Sequence, residues 1–180
     1  VGTYGIAGSN GTGKSTLLSI IAGFTTPTRG RVSYFTNELQ EISPDQIFQY
    51  LAIAVPYVSI IGELTLTEHL QFHCKFKPLQ GSISQEDFFR ISDLQSYRSV
   101  PVAHLSSGLL QRLKLALAML GASPLVLLDE PTSYLDEKSK AWFKDLFKNY
   151  SKGRMTILAS NERSDLALTE SRLEVEHFTR

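Results

Sequence analysis

One run constrains this chain more than any other: Gly8-Ser9-Asn10-Gly11-Thr12-Gly13-Lys14-Ser15-Thr16, a full match to GxxxxGK(S/T). Thr3 to Ala7 ahead of it is short, apolar and rich in strand formers, and Leu17, Leu18 and Ile21 behind it recur at helical spacing. The order is strand, loop, helix. Glycines let the backbone curl until several N–H groups face one anion, the helix opening near Lys14 adds its positive dipole end, and Lys14 adds a full charge. The Ser15 hydroxyl suits a magnesium ion beside the phosphates.

The rest of the chain supplies the sheet that such a loop needs. The pattern predicts a strand over Arg31 to Phe35, a short helix after the cap-like Ser43-Pro44-Asp45, and a strand over Tyr50 to Val55. It predicts helices over Thr67 to Phe76 and Ser84 to Leu94, the second opened by Ser84 and Asp87 at capping-box spacing. After Gly108 an apolar helix runs to Leu120 and the fully apolar strand Leu125 to Leu128 follows, suited to a buried parallel sheet. A helix over 137–149, a strand over Thr156 to Ala159 and a weaker strand over Arg172 to His177 complete the alternation. The class is therefore α/β: a mostly parallel sheet flanked by helices, built as one domain over 1–180, with 1–63 and 105–180 as the phosphate-loop core and 64–104 as a small helical subdomain. Because Val1 stands where Met is expected and the loop follows so soon, the reading is of an N-terminally incomplete domain.

Leu125 to Leu128 ends in Asp129-Glu130, and ligands of open parallel sheets bind outside the carboxyl ends of the strands. Asp129 is placed to hold magnesium directly or through its water, and Glu130 to orient the attacking water and take its proton.

Composition narrows the partners. Lys plus Arg and Asp plus Glu both number 18, so no net field recommends nucleic acid or an anionic membrane surface. The single Cys74 forms no internal disulfide and fits a reducing compartment. The apolar runs Leu51 to Ile61 and Leu113 to Leu128 are each interrupted and fall short of the roughly 20 residues of a membrane-spanning helix. His69, His73, His104 and His177 lack metal-ligand spacing with cysteines or acids and are read as surface or core residues.

Leu105-Ser106-Ser107-Gly108-Leu109, followed by Gln111-Arg112 and standing ahead of the two carboxylates, resembles the LSGGQ signature of ATP-binding cassette (ABC) transporter subunits. Thr26 to Val32 resembles that family's turn after the first helix, and Ser133-Tyr134-Leu135-Asp136 its D-loop. The resemblance implies an ATPase using ATP and Mg2+, with Gly8 to Thr16 holding the phosphates. It implies a head-to-tail homo- or heterodimer in which Ser106, Ser107 and Gly108 act in trans and Asp136 lies at the interface. It also implies an integral membrane partner, with the subunit cytoplasmic at the inner face of the membrane and no nucleic acid bound.

Three positions depart from the family pattern. Tyr57 stands where a glutamine is usual, Asn161 aligns with a phosphate-reaching histidine, and Leu109 replaces the signature glutamine. Asparagine donates a hydrogen bond but never becomes cationic, and tyrosine places no carboxamide near the metal, so slow but non-zero hydrolysis is expected. The adenine-stacking aromatic of the family lies upstream of Val1, and Tyr4 is not assigned to it. The apolar stretch Val58 to Leu64 either meets the membrane subunit or packs on the helical segment. Two further readings stand beside the transporter subunit: a weakened nucleotide-sensing partner of a more active subunit, and a membrane-free family member acting on ribosomes or DNA.

Overall fold

The computed structural model describes residues 1–175. Strand β1 (Gly2–Ala7) leads through the glycine loop into helix α1 (Lys14–Ile21). Strands β2 (Tyr34–Phe35) and β3 (Glu41–Ile42) form a small antiparallel hairpin apart from the main sheet. The strand expected over Arg31 to Phe35 is thus cut to its last two residues, because only Tyr34 and Phe35 find a partner strand. The helix expected after Ser43 is a turn leading into one 3-10 turn, Ile47–Gln49. Strand β4 (Leu51–Ala54) then enters the sheet.

Helices α2 (Leu66–Phe76) and α3 (Gln85–Ser92) both open on complete capping boxes, Thr65 with Glu68 and Ser84 with Asp87. Each box satisfies two N–H groups that the first helical turn leaves unpaired. Helix α4 (Ser107–Leu120) is followed by β5 (Leu125–Asp129), α5 (Glu137–Tyr150), β6 (Met155–Ser160), the short α6 (Arg163–Leu166) and β7 (Ser171–Glu174). Four residues of α6 are too few to show a periodicity, and the sequence pattern missed it. The last strand stops at Glu174, and Glu176 and His177 lie outside the described residues.

The main sheet is five-stranded and parallel in the order β4-β5-β6-β1-β7. Side chains alternate between its faces. Ile6, Leu51, Leu127 and Ala159 meet Leu18 and Ala22 of α1 on one face. On the other, Ala52, Val126, Leu128 and Leu158 join a larger core with Leu113, Leu120, Phe143 and Phe147 of α4 and α5. The helical segment belongs to that core through Leu66, Leu70, Phe88 and Phe89. Two side chains tie it down further: Arg112 of α4 donates to Ser92 O (3.3 Å), Asp93 (3.2 Å) and Ser139 (2.7 Å), and stacks over Trp142, whose Nε1 donates to Ile91 O at 2.7 Å.

Since the strands are parallel, their carboxyl ends share one edge. Ala7 is in register with Ser160, Asp129 with Ala159, and Ala54 with Leu128. That edge receives the glycine loop, the Asp129-Glu130 pair, Ser160-Asn161 and the segment leading to Tyr57.

Phe143 is fully buried between the sheet and α4, so Phe143→Ala is expected to cost about 3–5 kcal/mol of unfolding free energy. Thr65→Ala, which removes a helix cap on the surface, should cost about 1 kcal/mol. Urea denaturation of the two variants checks the contrast, and comparable losses would contradict this account of the core.

Candidate phosphate and metal site

Gly13 occupies the position before α1 with φ 96°, a left-handed conformation that a side chain would strain. At Gly8 a Cβ would lie 2.6 Å from Thr12 Oγ1, so only glycine lets the two arms of the loop meet. Thr12 N and Oγ1 both donate to Ser9 O, at 3.4 and 2.9 Å, and close the curl. Within it Lys14 is 6% exposed, a low value for an ammonium. Its Nζ donates to Gly8 O at 2.9 Å and Ser9 O at 3.1 Å and pairs with Glu130 Oε1 at 3.4 Å. The loop thus curls back on itself, with its lysine turned to the carboxylate edge.

Asp129 and Glu130 play different parts there. Asp129 is 2% exposed, and its Oδ1 has no hydrogen-bond partner among the described residues. Burial pushes its carboxyl pKa up and a hydrogen bond from the Ser15 hydroxyl opposes that shift. An orphaned carboxylate oxygen beside a serine hydroxyl at a phosphate loop is the donor set a magnesium ion takes: hard oxygens, few protein ligands, the remaining positions left to water and phosphate. Among the described residues no cluster of three His, Cys, Asp or Glu offers an alternative metal cage. Glu130 turns the chain at φ 46°, an uncommon left-handed conformation for a residue with a side chain, and its N donates to Ala159 O at 2.8 Å. That turn aims the carboxylate back over the loop, where Oε1 faces Lys14 and Oε2 accepts from Ser160 Oγ at 3.2 Å.

Two of the three departures from the family pattern, Asn161 and Tyr57, belong to segments at this edge. Asn161 Nδ2 donates to Asn10 Oδ1 at 3.0 Å, so Asn161 leans over the tip of the loop. Burial raises the Tyr57 hydroxyl pKa, the charge of Asp129 adds to the rise, and a hydrogen bond with Ser19 opposes it. Sequence spacing did not foresee Ser160, Asp165 and Thr132: Asp165 is 2% exposed and its Oδ2 accepts from both hydroxyls at 2.9 Å. A serine closing a strand and an acid in the next turn carry no motif by themselves.

The signature residues sit at the start of α4. Ser106 caps that helix, accepting from Leu109 N at 3.3 Å, while Ser107 and Gly108 open its first turn. A Cβ on Gly108 would come within 3.1 Å of Tyr134 O, and Gln111 Nε2 donates to Pro131 O at 3.0 Å. The signature is thereby fastened to the segment that leaves Glu130. Asp136 caps α5 through Ser139 N at 2.8 Å, and Tyr134 stands exposed before it with φ 67°.

A parallel sheet presenting such a loop, with a buried lysine and a strand-end carboxylate pair, defines a P-loop nucleotide-binding domain. The model of the ABC transporter family matches residues 2–133, and the chain belongs to that family as an ATP-binding cassette. It is 32% identical over 171 residues to human phospholipid-transporting ATPase ABCA7 and 30% identical over 171 residues to human retinal-specific phospholipid-transporting ATPase ABCA4. Each alignment covers 93% of this chain and 8% of the relative, so the chain spans less than a tenth of either. Among solved structures, a putative ABC transporter ATP-binding protein from Pyrococcus furiosus superposes with a TM-score of 0.81 at 18% identity, covering 99% of this chain and 86% of the other. The dimeric bacterial ABC transporter cassette MJ0796 gives 0.78 at 23% identity, covering 97% and 82%. These two likenesses establish the fold.

Away from the phosphate edge, a cleft of about 300 Å³ opens between the Val55–Ile61 segment, α2 and α4. Phe72, Phe76 and Ile61 show exposed apolar surface on it, and Lys77 and Lys114 are its charged residues. His69 and His73 also line it, and His69 Nδ1 and His73 Nε2 have no hydrogen-bond partner among the described residues. Burial, with smaller contributions from His69 and Lys77, lowers the His73 pKa from 6.5 to about 4. The folded state then binds fewer protons than the unfolded chain between those values, so stability is full above pH 6.5 and falls as the pH drops towards 4. Denaturation midpoints from pH 7 to 4 should decline more steeply for the wild type than for His73→Gln; parallel profiles would refute the assignment.

Proposed function

We propose that this chain is the ATP-binding and hydrolysing motor of an ABC transporter, closing on a second cassette around ATP and driving a membrane partner between two states. The observation that carries this reading is the convergence of Lys14, Ser15, Asp129 and Glu130 on one sheet edge. Backbone N–H groups of Gly8 to Thr16 bind the phosphates, and Lys14 leaves Glu130 to join them. Ser15 and Asp129 hold magnesium, which draws charge from the phosphates when bound. Glu130 orients the attacking water and accepts its proton. Asn161 donates a hydrogen bond to the terminal phosphate. Ser106, Ser107 and Gly108 close over the ATP held by the facing cassette, and Asp136 lies in that interface. The names of the curated relatives, phospholipid-transporting ATPases, support a lipid-moving transporter as the whole assembly.

Residues 64–104 act as a helical subdomain that carries the α4 signature against the core, and the cleft beside it receives an apolar segment of the membrane partner. The exposed rings of Phe72 and Phe76 beside Ile61 favour this use over simple internal packing. Among the described residues no helix is long and apolar enough to cross a membrane. The intact loop lysine and carboxylate pair favour a working site over a purely sensory one.

Turnover is expected below roughly 1 per second, the lower end for well-equipped phosphoryl-transfer enzymes, because Asn161 supplies no cation. Lys14→Ala and Glu130→Gln should each lower it by about 100-fold or more, Glu130→Gln with ATP binding retained. Asn161→His should raise it by about tenfold. Steady-state hydrolysis with parallel nucleotide-binding titrations checks all three, and a fully active Glu130→Gln would sink the mechanism. Separately, Ile61→Ser, at an exposed side chain beside Ile60, which packs on the core, should weaken association with the membrane partner at unchanged melting temperature; a large loss of stability would instead mark Ile61 as core.

A further inference from the structure

Ser160 stands at a point where a buried carboxylate, Asp165, and a half-buried one, Glu130, meet one proton. Its Oγ lies 2.9 Å from Asp165 Oδ2 and 3.2 Å from Glu130 Oε2, and it accepts from Glu162 N at 3.0 Å. A hydroxyl has one hydrogen to give. With its acceptor side taken by the Glu162 N–H, Ser160 donates to either Asp165 or Glu130 at any moment. Thr132 Oγ1, on the turn that leaves β5, donates to the same Asp165 oxygen at 2.9 Å. Ser160, Asp165 and Thr132 are 0, 2 and 6% exposed, so water does not readily replace a bond that one of them loses.

We propose that Ser160, backed by Asp165 and Thr132, is a positioning residue that holds the Glu130 carboxylate for water activation once Lys14 turns to phosphate. The inference rests on Glu130 being the general base. Glu130 is gripped at both oxygens, Oε1 by Lys14 and Oε2 by Ser160. When Lys14 swings to the phosphates, Oε1 loses its cation and the carboxylate is held through Oε2. Ser160 can then give its proton wholly to Glu130, because Thr132 still supplies Asp165 with a donor and the buried acid is not left bare. Losing a donor outright would cost far more at such a depth. Thr132 is thus what makes the Ser160 hydroxyl free to turn, and Asp165 holds both hydroxyls within reach of the catalytic carboxylate. Three elements meet here: the turn after β5, the end of β6 and α6. A shift of any of them is transmitted to Glu130 through one oxygen.

The test is hydrolysis by the protein and its variants in wild-type and Glu130→Gln backgrounds, with melting temperature followed throughout. Ser160→Ala should lower kcat by about 10- to 100-fold and leave KM for ATP within about threefold, as loss of an orienting partner does. Ser160→Thr, which keeps the hydroxyl, should recover most of the rate. Thr132→Val, which leaves Ser160 committed to Asp165, should lower kcat by about 3- to 10-fold and serves in its place if Ser160→Ala does not fold. In the Glu130→Gln background neither change should lower the residual rate by more than about twofold, since the group they position is already gone. Unchanged kcat in the single variants, or the same loss repeated in the Glu130→Gln background, overturns the proposal while leaving the ATPase intact. Absence of turnover in the wild type, or full activity of Glu130→Gln, overturns the ATPase mechanism and this inference with it.

Discussion

A buried ammonium sets the terms for the rest of this molecule. Lys14 is almost wholly withdrawn from water, and a charge in that position costs several kcal/mol unless acceptors surround it. The acceptors come from two places far apart in sequence: the carbonyls of Gly8 and Ser9 at the start of the loop, and the Glu130 carboxylate at the end of β5. The curl of the loop and the register of the sheet therefore answer to the same charge. If β5 ended one residue earlier or later, its carboxylates would point to the opposite face and the ammonium would lose its counter-charge. Parallel order is the arrangement that brings those ends to one edge, and the apolar strands of the core exist to hold that order.

How far the sequence reveals this depends on whether a feature is local. The glycine loop, the capping box of Ser84 and Asp87, and the strand closing on Asp129 each lie within a few consecutive residues, and each is where the pattern places it. Arg31 to Phe35 reads as a strand by propensity, yet a strand lasts only as far as its partner, and Glu41–Ile42 offers two residues. The Lys14–Glu130 pair, the meeting of Ser160 with Asp165, and the contact of Asn161 with Asn10 all join residues distant in the chain. No spacing rule encodes them. The Asp129-Glu130 doublet is already divided between metal and water on sequence, but the burial of one acid and the left-handed turn of the other are not legible there.

The start of α4 is tied to elements on both sides of it. Ser106 and Gly108 open α4, and Gln111 and Arg112 follow on its first turns. Gln111 reaches Pro131, directly after Glu130, while Arg112 binds the end of α3 and the start of α5 together. Trp142 closes that junction through Ile91 O and the face of its ring. A helix gripped at its first two turns by both the catalytic strand and the helical segment moves with both or not at all. Such a joint gives a rigid path between the phosphate edge and the cleft beside α2.

Charge balance at the edge decides how the departures Tyr57 and Asn161 act. Asp129 and Glu130 bring two carboxylates, and Lys14 brings one cation that is shared with the backbone of its own loop. Once Lys14 turns to phosphate, the carboxylates and the phosphates face each other with no cation from Asn161, whose amide offers only a dipole. Tyr57 adds a neutral phenol whose ionisation Asp129 opposes. On the proposed function the site would draw most of its positive charge from magnesium, with Ser15 and Asp129 as the residues to hold it, and hydroxyls rather than cations would keep Glu130 in place. A cassette built this way keeps the geometry of hydrolysis while giving up part of its electrostatic drive, because oriented dipoles persist in a dry site but stabilise developing charge less than a full cation does.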